Sequence, residues 1–140
     1  MSLSIRNRIP GTVTGITTGA VMATVRIDIT GGRELTAAVT AEAVRELGLQ
    51  TGSPVHALVK ATEVALATGP ISGLSIRNRL PGTVSGVTTG PAMAGVRIAV
   101  EGGVELTAAI TADAADELRL TAGTPVIALI KSTEVSLDAV

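Results

Sequence analysis

The sequence predicts a mainly β chain of two tandem small barrels, each with one short helix before its last strand. The doubling rests on an internal repeat. The peptide "SIRNRIPGTV" at Ser4 returns as "SIRNRLPGTV" at Ser75, and the offset of 71 residues then holds to the end of the chain without a gap. The class rests on patterning: within each copy, stretches rich in Thr, Val and Ile alternate with polar residues between Gly-containing turns, as half-buried strands do. One stretch per copy has helical spacing. Four or five short strands with a single helix suit a small OB-like barrel.

The elements follow in order. "TVTGITT" and "MATVRIDI" are strand candidates, and "RELTAAVT" is a third after the Gly31-Gly32 turn. Thr40 is a fitting N-cap, with Glu42 in the first turn and Ala43, Val44 and Leu47 at helical spacing; Gly48 can end the helix. The second copy keeps Thr111 and Asp113 but has Arg119 where the first has Gly48. "VHALVKATEV" reads as a final strand. The domains are therefore expected at residues 1–66 and 74–140, joined by a Gly/Pro/Ser linker at 67–73.

Composition narrows the function classes. Hydrophobic residues make up 46% of the chain and charged residues only 16%; two small domains bury little alone, so association between chains is expected. No apolar run is long enough to span a bilayer. The opening "MSLSIRNRIPG" has no signal-peptide core, so a cytoplasmic location without membrane attachment is expected. There is no Cys, which removes disulfides, thiolate metal sites and a cysteine nucleophile. A net charge of −1 and the absence of Phe, Trp and Tyr argue against nucleic acid as a partner. The copies share no histidine and no nucleophile–base pair, so no enzyme and no directly ligated metal is expected. His56 is matched by Ile127, and Met22 and Met93 read as core.

Apolar positions drift between the copies among Ile, Val, Leu and Ala, but "S-x-R-N-R" does not, and neither does a Lys near the end of each copy. Arg6 to Lys60 and Arg77 to Lys131 both span 54 residues. If the first and last strands are neighbours, one Arg and one Lys meet near Ser4 and Thr62 in one copy, and near Ser75, Ser132 and Thr133 in the other. Such a set of donors suits a small oxyanion. Glu63 should point away from Lys60 if the strand continues through it. The bland alternative pairs the arginines with Glu34 or Glu63 on the surface, and the residues alone leave it in front. Arg8 and Arg79 read as solvated charges.

"SIRNRLPGTVSGVTTG" followed by "ELTAAITADAADELRLTAGTPVIALIKSTEV" resembles the Mop domain, a molybdate- and tungstate-binding module of about 65 to 70 residues. The family's opening S-A-R-N and closing V-I-K-A-[ST] stand here as Ser4-Ile5-Arg6-Asn7 with Val59-Lys60-Ala61-Thr62, and as Ser75-Ile76-Arg77-Asn78 with Ile130-Lys131-Ser132-Thr133. The match covers nearly the whole chain and is similar to the free-standing di-Mop molbindins. It implies an OB-like fold, molybdate or tungstate as ligand with no other cofactor, and sites between domains. It also implies a homo-oligomer of three chains that rebuilds a six-domain ring. By matching positions, the implied anion contacts are Ser4, Arg6, Asn7, Lys60, Ala61 and Thr62, with Ser75, Arg77, Asn78, Lys131, Ser132 and Thr133. Thr40 and Thr111 would contribute from the helix starts. The implied role is storage or buffering of the oxyanion, with delivery to a partner as the alternative. The chain departs from the pattern at Ile5 and Ile76, where most members have Ala, and at "GAVMATV" and "GPAMAGV", where many read G-A-V-N-A-E-V.

Overall fold

The computed structural model describes residues 1–140. The first copy forms β1 (Asn7–Thr18), β2 (Met22–Ile29), β3 (Arg33–Thr40), α1 (Ala41–Glu46), β4 (Pro54–Val59) and β5 (Ala65–Ala67). The second repeats it as β6 (Asn78–Thr89), β7 (Met93–Val100), β8 (Glu105–Thr111), α2 (Ala112–Glu117), β9 (Pro125–Ile130) and β10 (Ser136–Ala139). The chain is mainly β, in two curled five-stranded antiparallel sheets, as expected for tandem OB-like barrels. β1 serves two neighbours: Asn7–Thr12 pair with β4 and Gly11–Thr18 with β2, with a bulge between Val13 and Gly15. One long strand shared in this way bends the sheet on itself.

The strand orders are β10-β4-β1-β2-β3 and β5-β9-β6-β7-β8. Each sheet therefore takes its fifth strand from the other repeat, Ser136 facing Leu58 and Ala65 facing Leu129. The expected single final strand "VHALVKATEV" is broken by a 3-10 turn at Ala61–Glu63, matched by one at Ser132–Glu134. In each, the N–H of Glu63 or Glu134 donates to the carbonyl of Lys60 or Lys131 at 2.9 Å. The turn lifts the chain off its own barrel and packs on the facing strand, β8 or β3, of the other repeat.

Burial follows the exchange. Twenty-eight buried apolar residues form one contiguous core drawn from both repeats, with Ile9, Ile27, Leu35 and Val59 matched by Leu80, Ile98, Leu106 and Ile130. Two half-cores, each marginal at this size, thus become one. The Gly-Gly turns meet as well: a Cβ on Gly31 would lie 2.5 Å from the Cα of Gly102. Arg33 pairs with Glu101 beside that contact.

Several expectations are corrected. Met22 and Met93 are each 46% exposed, because they open β2 and β7 at register positions that face outward while Ala23 and Ala94 face the core. Leu47 is exposed, and Leu49, after the helix, is buried in its place. Arg8 is not merely solvated: its guanidinium reaches Asp138 at 3.2 Å, beside His56. Arg79 donates to the carbonyls of Ile76 and Leu74, tying down the segment that enters β6. Arg119 takes a left-handed conformation, φ 53°, where Gly48 has φ 61°; the helix ends the same way in both copies despite the missing glycine. No helix is long and apolar enough to cross a membrane.

Candidate functional site

β1 and β6 are the innermost partners of β4 and β9, and their registers set the geometry. Asn78 faces Ile130 and Asn7 faces Val59 at the ladder ends. One residue beyond the ladder end, Arg77 and Lys131 line the same cavity, and Arg6 and Lys60 hold the equivalent sequence positions in the first repeat. The Arg Nε is held locally, donating to the Ser75 carbonyl at 3.1 Å and, in the first copy, to the Ser4 carbonyl at 3.0 Å. That leaves the terminal nitrogens of each guanidinium free. Neither arginine has a carboxylate within ion-pair distance, so the pairing with Glu34 or Glu63 does not form.

A cavity of about 260 Å³ opens at this ladder end, lined by Ser75, Ile76, Arg77, Lys131, Ser132 and Thr133. Two positively charged and three hydroxyl-bearing residues line it, and no carboxylate does. The donors are of the kind that suit an oxyanion. The hydroxyl of Ser132 is buried and has no hydrogen-bond partner in the chain.

Lys131 also borders a second, larger cavity of about 410 Å³ between the repeats. Thr62 and Glu63 of the first repeat line it together with Ile76, Met93, Ile110 and Thr111 of the second. Glu63 lies in a 3-10 turn and not on a strand, so the alternation that would have turned it away from lysine does not apply. A carboxylate and mostly apolar walls make this cavity the poorer anion host. Ile76, a departure from the family pattern, lines both cavities; sequence reading missed Met93 and Glu63, because Met93 reads as core and Glu63 as pointing away along a continuous strand.

The remaining expected contacts have other partners. Asn7 and Asn78 are almost wholly buried. The Asn7 amide donates to the Thr107 carbonyl at 2.9 Å and accepts from the Thr107 N–H at 2.7 Å. Asn78 bridges Thr36 in the same way, at 2.9 and 2.8 Å. Each side chain imitates a strand neighbour and joins one repeat to the other. Thr40 and Thr111 cap their helices, accepting from the N–H of Ala43 at 3.0 Å and of Ala114 at 3.1 Å. The N–H groups of Ala41 and Ala112 go to the carbonyls of Val21 and Ala92, so the helix starts offer fewer free donors than expected. Ala61 stands where the second repeat has Ser132. No group of three or more His, Asp or Glu is arranged to hold a metal ion.

The TOBE domain family matches at residues 3–66 and 74–137. The molybdenum-pterin-binding protein MopA of Rhodobacter capsulatus is 41% identical over 138 residues, covering 98% of this chain and 52% of that protein. The molybdenum transport protein ModE of Azotobacter vinelandii is 37% identical over 137 residues, covering 98% and 51%. The chain spans about half the length of these curated relatives. Among solved structures, the cytoplasmic molybdate-binding protein ModG, in a form with molybdate bound, aligns at a TM-score of 0.97 with 42% identity, over 100% of both chains.

Proposed function

The chain belongs to the TOBE-domain family, with two copies of the domain, and from that premise we propose that it binds molybdate or tungstate and holds it in the cytoplasm as a reversible store. The observation that carries this reading is the carboxylate-free cavity where Arg77, Lys131, Ser75, Ser132 and Thr133 converge. The full-length likeness to ModG with molybdate bound supports it. In this reading Ser4, Arg6, Lys60 and Thr62 form the counterpart site of the first repeat. The oxyanion enters and leaves intact, and no catalysis is assigned.

Binding would proceed by replacing water around a dianion with fixed donors. The guanidinium supplies a planar fork, the ammonium a compact charge, and the hydroxyls short adjustable donors. Selectivity over sulfate would come from cavity size and donor spacing, since the charge is the same. The proposal includes assembly of three chains into a six-domain ring. Exposed Val21, Met22 and Met93, apolar residues at hairpin ends, supply surface for such contacts. Sites completed by neighbouring chains would couple binding to assembly.

Isothermal titration with molybdate, tungstate and sulfate tests the reading. Saturable heat with the first two and none with sulfate is expected; equal weak heat for all three would overturn it. Arg77→Ala and Lys131→Ala should each weaken molybdate binding by at least tenfold, the scale of a lost charge-assisted hydrogen bond. Light scattering should give three times the chain mass of 14.0 kDa. A second reading, an oxyanion delivery module that docks on a transporter, regulator or cofactor-synthesis partner, draws on the same region forming half of longer relatives. Molybdate-dependent capture of one such partner by this chain would favour it.

A further inference from the structure

The two repeats are chemically identical at nearly every position of the candidate sites. Ser4, Ile5, Arg6, Lys60 and Thr62 are matched by Ser75, Ile76, Arg77, Lys131 and Thr133. The difference is Ala61 against Ser132. Ser132 lines the cavity at the β6–β9 ladder end, and its Oγ is the one buried side-chain nitrogen or oxygen in the chain with no hydrogen-bond partner. A buried hydroxyl is ordinarily satisfied, and an orphan calls for a cause. Its neighbours in the cavity wall, Arg77 and Lys131, are donors that cannot accept from it. The Ser75 and Thr133 hydroxyls do not reach it, and the 3-10 turn backbone bonds Lys131 to Glu134 and Ser132 to Val135 without it. The hydroxyl belongs to a residue of the cavity wall, and an anion held there would be an acceptor for its hydrogen bond.

Resting on the oxyanion reading above, we propose that the two sites of one chain are unequal: the second-repeat site, with the Ser132 hydroxyl, is the tighter, and the first-repeat site, with the Ala61 methyl, the looser. The residue that sets the difference is Ser132. A store built this way fills its second-repeat sites first and takes up a further share only as free oxyanion rises.

The experiment is titration of the assembled full-length protein with sodium molybdate, sulfate serving as control, for the native chain, Ser132→Ala and Ala61→Ser. The native chain should show two classes of site in equal number, separated by roughly tenfold in Kd, one hydrogen bond to an anion. Ser132→Ala should leave one class at the looser value, and Ala61→Ser one class at the tighter value. A single class in the native chain, or two classes that neither substitution moves, would overturn the inference while leaving the oxyanion reading standing. No saturable molybdate heat in the native chain would overturn both.

Discussion

The two repeats receive each other's last strand on different terms. β10 lies on β4 with Asp138 opposite His56, and Arg8 reaches across to Asp138 at 3.2 Å. β5 lies on β9 with Ala67 opposite Ile127, and no ion pair joins them. The joints between the repeats, by contrast, are alike: Asn7 on Thr107 and Asn78 on Thr36, each with two bonds to one residue's backbone. The difference teaches which contacts hold the exchange. Backbone ladders, buried amides and a shared core are kept in both halves. Side-chain pairs on the outer strand vary, as exposed ion pairs add little stability.

The largest test of that comparison removes the joints. Asn7→Ala and Asn78→Ala each strand a backbone N–H and a carbonyl, so each should destabilise the fold by about 3 kcal/mol in denaturant unfolding at fixed protein concentration. Equal losses would establish that the repeats are joined symmetrically; a difference beyond about 1 kcal/mol, the usual context scatter, would break the symmetry. Next comes the turn contact. Gly31→Ala meets the Gly102 backbone at φ 88° and should cost about 2 kcal/mol, whereas Gly32→Ala, with open space around it at φ 75°, should cost about half as much.

Smaller effects sharpen the contrast. Arg119→Gly relieves a left-handed arginine at the end of α2 and should raise thermal stability by about 1 kcal/mol, with Gly48→Arg lowering it similarly. Asp138→Asn should cost about 0.5 kcal/mol or less, because Arg8 is half exposed, and the loss should shrink in high salt. If Asp138→Asn instead releases β10, seen as fast amide exchange in residues 136–139, the ion pair and not the ladder fastens that strand.

Much of the fold was legible along the chain. An ungapped repeat and period-two patterning specify two alike β units. Thr40 and Thr111 announce helix starts because a cap is a local bond between near neighbours. That Arg77 and Lys131 line one cavity was also within reach, since strand register follows from alternation and both copies share one spacing. His56 beside Asp138 was not legible, because the partners lie 82 residues apart and only the exchanged strand unites them.

What the sequence by itself determined is therefore local or repeated: the strands, the short helices, the doubling and the donor types at the ladder ends. Tertiary structure alone decided where the fifth strands go, that Asn7 and Asn78 are spent on the backbone of Thr107 and Thr36, that Met22 and Met93 face outward, and that Ser132 is left without a partner. The reason is that a fifth strand of three or four residues carries too little pattern to name its neighbour. Its destination is settled by the single core that both halves must fill, and every contact made across the exchange inherits that choice.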